Sequence, residues 1–199
     1  MIITKSFLRS QAEERGIYEF SQKSILDENK RITEIKKTPT GMKYDLFLSH
    51  SSLDKTLVLT LVKIFNDAGY SVYVDWINDK QLDRSAVTSN TANTLKVRLQ
   101  ESNGLSYIAT QNTMTSKWCP WELGLADGMK SGRACILPIL DNSQSDYHGQ
   151  EYLGIYPYLE YAKEAGSGKD NFWVYDSYNS KKYVILSSWL RGSDPIIHE

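Results

Sequence analysis

Apolar residues along this chain gather in short runs whose period alternates between strand and helix. Tyr44–Ser49 (YDLFLS), residues 71–75 (SVYVD), residues 105–110 (LSYIAT), Ala134–Leu140 (ACILPIL) and residues 172–176 (FWVYD) are short, apolar and bounded by turn formers. Such runs predict buried strands. After the first, Leu57, Leu61, Ile64, Phe65 and Ala68 recur at helical spacing, with Asp54 placed to cap the helix and Gly69 to end it. A second helix is expected over residues 91–102, with Ala92, Leu95 and Leu99 inward, and a third begins near Lys117. The ending KKYVILSSWLRG predicts a short strand or turn followed by a last helical turn.

Strands alternating with helices of about a dozen residues imply an α/β fold with a mainly parallel sheet and helices on both faces. Five strands suit the flavodoxin-like order 2-1-3-4-5, which places a ligand crevice beyond the carboxyl ends of strands one and three. Ser49, His50 and Ser51 end strand one, and residues 110–122 follow strand three, so both segments are expected at that crevice. Residues 1–41 read differently. They are polar, with a thin stripe of Ile25, Ile32 and Ile35 that predicts one helix before Pro39 and Gly41. The expected organisation is a partly helical extension over 1–41, packed as an appendage, and a single domain over 42–199.

Composition narrows the function. The chain has 199 residues, 41% hydrophobic and 24% charged, as an ordinary soluble domain does. A net charge of −1 gives no reason to expect nucleic-acid binding. No apolar run reaches bilayer length, and the opening MIITKSFLRSQAEERG has no signal-like apolar region. Cys119 and Cys135 lack metal-site spacing, which favours a cytoplasmic, reducing setting, with Cys119 a small buried filler. His50, His148 and His198 are too scattered for a metal cluster. No G-x-G-x-x-G follows strand one, so a resident dinucleotide cofactor is not expected.

The chemistry concentrates in SKWCPWEL, residues 116–123. Trp118 and Glu122 lie four apart and share a helix face that continues through Leu125 or Ala126 to Met129. A carboxylate in an apolar stripe must find hydrogen-bond donors or face a cleft. Pro120 belongs in the first helical turn, which starts the helix near Lys117 and leaves Glu122 close to its positive end. The residues alone leave both readings of Glu122 open: a helix-start acid, or a working group. Arg84 could hold a pyrophosphate or pair with an acid, and His50 suits turn polarity better than a catalytic base. Tyr147, Tyr152, Tyr156, Tyr158 and Tyr161, in an expected loop over 141–170, could close a pocket or simply pack.

Three boxes in order resemble the Toll/interleukin-1 receptor (TIR) domain family, particularly its bacterial forms. YDLFLSHSSLDK is similar to the first box, DWINDKQLDRSAV occupies the place of the BB loop, and SKWCPWELGLAD is similar to the segment holding the W-x-x-x-E pair of enzymatic members. The resemblance spans roughly residues 42–191. It implies either a scaffold that acts by self-association or an enzyme that cleaves NAD+ at the nicotinamide–ribose bond. Members of the second kind release ADP-ribose or a cyclic isomer, and small bacterial ones serve anti-phage systems such as Thoeris, where the product switches on a separate effector. The resemblance puts Glu122 in the catalytic position and makes Trp118, Ser49, His50, Asp75, Arg84 and Ser116 the expected substrate-binding residues. NAD+ is then a consumed substrate, no metal or cofactor is required, and homotypic association is expected. A third reading, a nucleoside deoxyribosyltransferase, fits the boxes less well.

Overall fold

The computed structural model describes residues 2–17, 27, 43–79, 88–142 and 151–198. Its centre is a parallel sheet built from the runs that are apolar on both faces. Strand β1 is Ile3–Thr4, β2 Tyr44–Ser49, β3 Val72–Tyr73, β4 Ser102–Ala109 and β5 Ala134–Leu140. The C-terminal strands are β6 Tyr158–Lys163, β7 Asp170–Tyr175, β8 Lys182–Ile185 and β9 Ile196–Ile197. The spatial order is β3-β2-β4-β5-β6-β7-β8-β9, and β1 pairs with β5. Strands β3 to β6 run parallel in the 2-1-3-4-5 order, while β7, β8 and β9 are antiparallel additions.

The expected fifth strand is thereby corrected. Position five belongs to β6, within the stretch read as a tyrosine-rich loop, and the run at 172–176 falls mostly in antiparallel β7. The alternation of Leu159 and Tyr161 inward with Glu160 between them is that of a strand, but tyrosines and flanking glycines obscured it. The second expected strand also shrinks to Val72–Tyr73, because Asp75 already opens a helical turn.

The helices are α1 Lys5–Glu14, α2 Lys55–Asp67, α3 Asp75–Asn78, α4 Ser89–Gln100, α5 Gln111–Met114, α6 Trp118–Met129 and α7 Leu186–Trp189. Short 3-10 turns cover Ser52–Asp54 and Glu151–Ile155. One sheet face buries Leu46, Leu48, Ile108 and Leu137 under α1, α2 and α7; the other buries Phe47, Leu105, Tyr107 and Ile136 under α4 and α6. Gly69 ends α2 as expected. At φ +83° it lets Tyr70 N–H reach Phe65 O at 2.8 Å and its own N–H reach Asn66 O at 2.9 Å, a Schellman closure.

Residues 3–17 join the main core: Ile3 and Leu8 are buried in the same cluster as α2, and β1 lies beside Ile139 and Leu140. Pro138 permits this junction. Alternate residues of a parallel strand donate to alternate neighbours, and Ile136 N–H donates toward β6 through Pro157 O at 2.9 Å. Pro138 faces the same edge, in the gap where β5 changes partner from β6 to β1, so its missing donor leaves no ladder bond unmade. The helix expected around Ile25 to Ile35 lies outside the described residues.

Candidate functional site

The crevice beyond β2 and β4 is closed by hydrogen bonds. Asp54 stands at the N-cap position of α2 but makes no cap bond, contrary to the expectation from spacing. Its carboxylate instead accepts Thr110 Oγ1 at 2.7 Å and Asn112 Nδ2 at 2.6 Å, tying the turn after β2 to the segment after β4. Thr110 also caps α5 through Thr113 N–H at 3.2 Å. The T-x-x-T spacing of residues 110–113 signals that cap; nothing local in sequence signals the reach to Asp54.

Helix α6 begins as the proline requires, with Pro120 third in the helix, where its missing N–H would have had no intrahelical acceptor. Ser116 Oγ accepts the N–H groups of Trp118 at 3.3 Å and Cys119 at 3.2 Å, so Ser116 caps the helix that carries the W-x-x-x-E pair. Trp118 and Glu122 share the buried face as spacing predicts. Trp118 meets Trp121 edge-on with ring centroids 5.5 Å apart.

Glu122 has no exposed surface. Ser49 Oγ, at the carboxyl end of β2 and itself fully buried, donates to Glu122 Oε2 at 2.6 Å. That length is typical of a hydroxyl on an ionised carboxylate. The next residue is held from the same helix, since Cys119 Sγ donates to His50 O at 3.2 Å. Cys119 is thus a buried filler, as expected, and also a weak donor.

The His50 ring is fixed on the opposite side. Its Nδ1 lies 2.8 Å from Leu48 O, and its Nε2 accepts Trp76 Nε1–H at 2.8 Å. Asp75 Oδ1 is 3.3 Å from the same Nε2. The Lys55 ammonium sits 5.8 Å from the Trp76 ring centroid. Of the expected site residues, Ser49, His50, Asp75 and Glu122 therefore come together. Trp118 adjoins them on α6, Ser116 serves the helix start, and Arg84 lies outside the described residues. Trp76, Asp54 and Thr110 were missed as partners; the adjacency of Trp76 to Asp75 after a strand was the one available hint.

A separate cavity of about 730 Å³ lies between α1 and the start of α2, lined by Leu8, Ala12, Ile17, Leu57 and Thr60 among others. It belongs to the α1–α2 face, whereas Glu122 projects from α6 on the other face.

Comparison with known proteins places these boxes in context. A family model described as TIR domain matches residues 46–171. The probable 3' cyclic ADP-D-ribose synthase ThsB' of Bacillus cereus (strain MSX-D12) is 46% identical over 149 residues, covering 74% of this chain and 76% of that protein. The putative cyclic ADP-D-ribose synthase TIR2 of Cytobacillus dafuensis is 33% identical over 112 residues, 56% of this chain and 29% of its own length. Among solved structures, the TIR domain of the Toll-related receptor TRR-2 from Hydra magnipapillata is similar at 20% identity and a TM-score of 0.41, over 55% of this chain and 78% of that one.

Proposed function

Because the chain belongs to the TIR domain family, we propose that it cleaves NAD+ at the nicotinamide–ribose bond and closes the product into a cyclic ADP-ribose signal. The observation that carries this reading is the Ser49–Glu122 pair, a carboxylate oriented by a 2.6 Å hydroxyl bond at the carboxyl end of the first parallel strand. The names of the two bacterial relatives support the cyclic product. The proposal extends to a role in anti-phage signalling, with a nucleotide-activated effector downstream and homotypic association of TIR domains.

The chemistry needs little beyond one well-placed acid. Nicotinamide leaves as a neutral base, taking the electron pair of the C–N bond, so no general acid is required. The ribose carbon becomes oxocarbenium-like, as in glycoside cleavage. Glu122 stabilises that cation, and Ser49 holds the carboxylate in position. A hydroxyl of the same molecule then attacks the cation and releases one proton, giving the cyclic product; attack by water gives ADP-ribose. Trp118 supplies an apolar wall, and His50, Asp75, Arg84 and Ser116 complete the proposed substrate-binding set. NAD+ is consumed rather than retained. No helix among the described residues is long and apolar enough to cross a membrane.

One observation favours a second reading, a non-enzymatic association module. A fully buried Glu122 bonded to Ser49 is also what a structural pin looks like. Incubation of the purified protein with NAD+, with chromatographic separation of products, divides the two. The enzyme releases nicotinamide and a cyclic nucleotide, and Glu122→Gln, which keeps a hydrogen-bonding side chain, loses both. Absence of nicotinamide from a folded, concentrated and assembled sample refutes the enzymatic reading.

A further inference from the structure

We propose that the indole N–H of Trp76 holds His50 in its neutral, Nδ1-protonated form and so keeps positive charge out of the wall beside Ser49 and Glu122. Trp76 is on this view a positioning residue, acting through His50.

The hydrogen bonds decide the tautomer. Leu48 O can only accept, so His50 Nδ1, 2.8 Å away, carries a proton. Trp76 Nε1 can only donate, so His50 Nε2, also 2.8 Å away, presents its lone pair. The ring is buried, which further disfavours the imidazolium. Asp75 competes for the same atom. Its Oδ1 stands 3.3 Å from Nε2 and would stabilise an Nε2–H, but a single nitrogen cannot donate to Asp75 while accepting from Trp76.

The surrounding charges are divided. Asp75 from α3 favours a protonated ring, while Glu122 on α6 bonds Ser49 and Asp54 in the turn before α2 bonds Thr110. Lys55 from α2, over the Trp76 indole, opposes protonation and strengthens the indole as a donor. The Cys119 thiol donates to the His50 carbonyl. Removing the indole N–H takes away the donor that competes with Asp75 for Nε2. His50 then takes up a proton and bonds to Asp75.

The consequence for catalysis rests on the NAD+-cleaving reading. Glu122 there stabilises a ribosyl cation, and an imidazolium one residue from Ser49 would compete for the same carboxylate field. A neutral His50 leaves that field to the substrate.

Histidine-selective NMR tests the proposal without activity. The chain has three histidines, and His198 faces Tyr183 O through Nε2 at 2.8 Å, so its tautomer is opposite to that expected for His50 and helps assignment. In the wild-type protein, His50 is expected as Nδ1–H and untitrated between about pH 8 and 5.5, around the ordinary histidine value. That measurement needs no substitution. In Trp76→Phe, with fold checked from the same spectra, His50 is expected to titrate at or above about pH 6.5. Its turnover number then falls about fourfold between pH 8 and pH 6, with KM little changed. Adding Asp75→Asn to Trp76→Phe should move the midpoint downward. A wild-type His50 that is Nε2–H or titrates in that window overturns the proposal, as does a His50 that stays neutral in folded Trp76→Phe. If the NAD+ reading fails, the rate arm is lost while the NMR arm still decides.

Discussion

Two polar clusters flank β2 and β3, one half-buried around Arg98 and one buried around Glu122, and they are built on opposite terms. Around Arg98 every charge meets a countercharge. The guanidinium holds both oxygens of Asp79 at 2.7 Å and reaches Glu101 at 2.7 Å, Lys43 closes on Glu101 at 2.5 Å, and the Tyr73 hydroxyl donates to Asp79 at 2.8 Å. Burial, followed by Asp79, pushes the Tyr73 hydroxyl well above its ordinary value, so it remains a donor. Around Glu122 the contacts include a serine hydroxyl on the carboxylate and an imidazole nitrogen contested between Trp76 and Asp75. The first cluster is satisfied and suits stability. The second is built from groups that the proposed chemistry uses, and such sites characteristically forgo stability for function.

The sharpest break of this comparison is the double variant Ser49→Ala with Glu122→Leu. Removing donor and acceptor of the 2.6 Å bond together spares Ser49 an unpaired buried hydroxyl, so the double variant should lose less stability than Glu122→Leu alone. Nicotinamide release should fall roughly 10³-fold, the scale of losing a main electrostatic stabiliser. Chemical denaturation and the NAD+ assay on one preparation check both halves. Arg98→Met should do the reverse. It takes the guanidinium from Asp79 and Glu101, which keep Tyr73 and Lys43, and should cost about 2 kcal/mol, with turnover preserved in the folded fraction.

The pH dependence follows from Asp79, whose carboxyl is held below its usual value mainly by the Arg98 hydrogen bonds, against burial and with help from Tyr73. A depressed folded value adds stability that is complete above the unfolded value of 3.8 and disappears as pH falls through the folded value. The gap between wild type and Arg98→Met, measured by urea unfolding, should therefore narrow below about pH 4. A gap that stays constant down to pH 2 would mean that Arg98 acts through packing on Tyr73, whose ring centroid is 5.9 Å away.

The parallel half of the molecule was legible because its signals are local. YDLFLS and ACILPIL coincide with β2 and β5 residue for residue, and the apolar spacing and Gly69 mark α2. The W-x-x-x-E spacing placed Trp118 and Glu122 on one buried face for the same reason. What escaped depends on partners distant in sequence. Strand β6 is recognisable through its pairing with β5 and β7 more than through its own composition. Asp54 looks like a helix cap until Thr110 and Asn112, over fifty residues away, claim it. The bond from Trp76 to His50 spans twenty-six positions and follows no period, so only the fold brings it together.

Smaller substitutions sharpen the division between holding the site and using it. Ser49→Ala alone should reduce nicotinamide release about tenfold, the cost of one hydrogen bond to a charged group. Ser116→Ala should have the smallest effect. Its hydroxyl accepts two first-turn N–H groups of α6, so its loss should cost about 1 kcal/mol, or about 2–4 °C in Tm for a chain of this length. Ser116→Asp should restore Tm, because an aspartate caps equally well and favours the positive helix end. The same variant separates two roles for the residue. If Ser116 only caps, Ser116→Asp recovers Tm and KM together. If its hydroxyl also donates to substrate, Tm recovers while KM stays raised, because an aspartate cannot donate and its charge stands beside the substrate's phosphates.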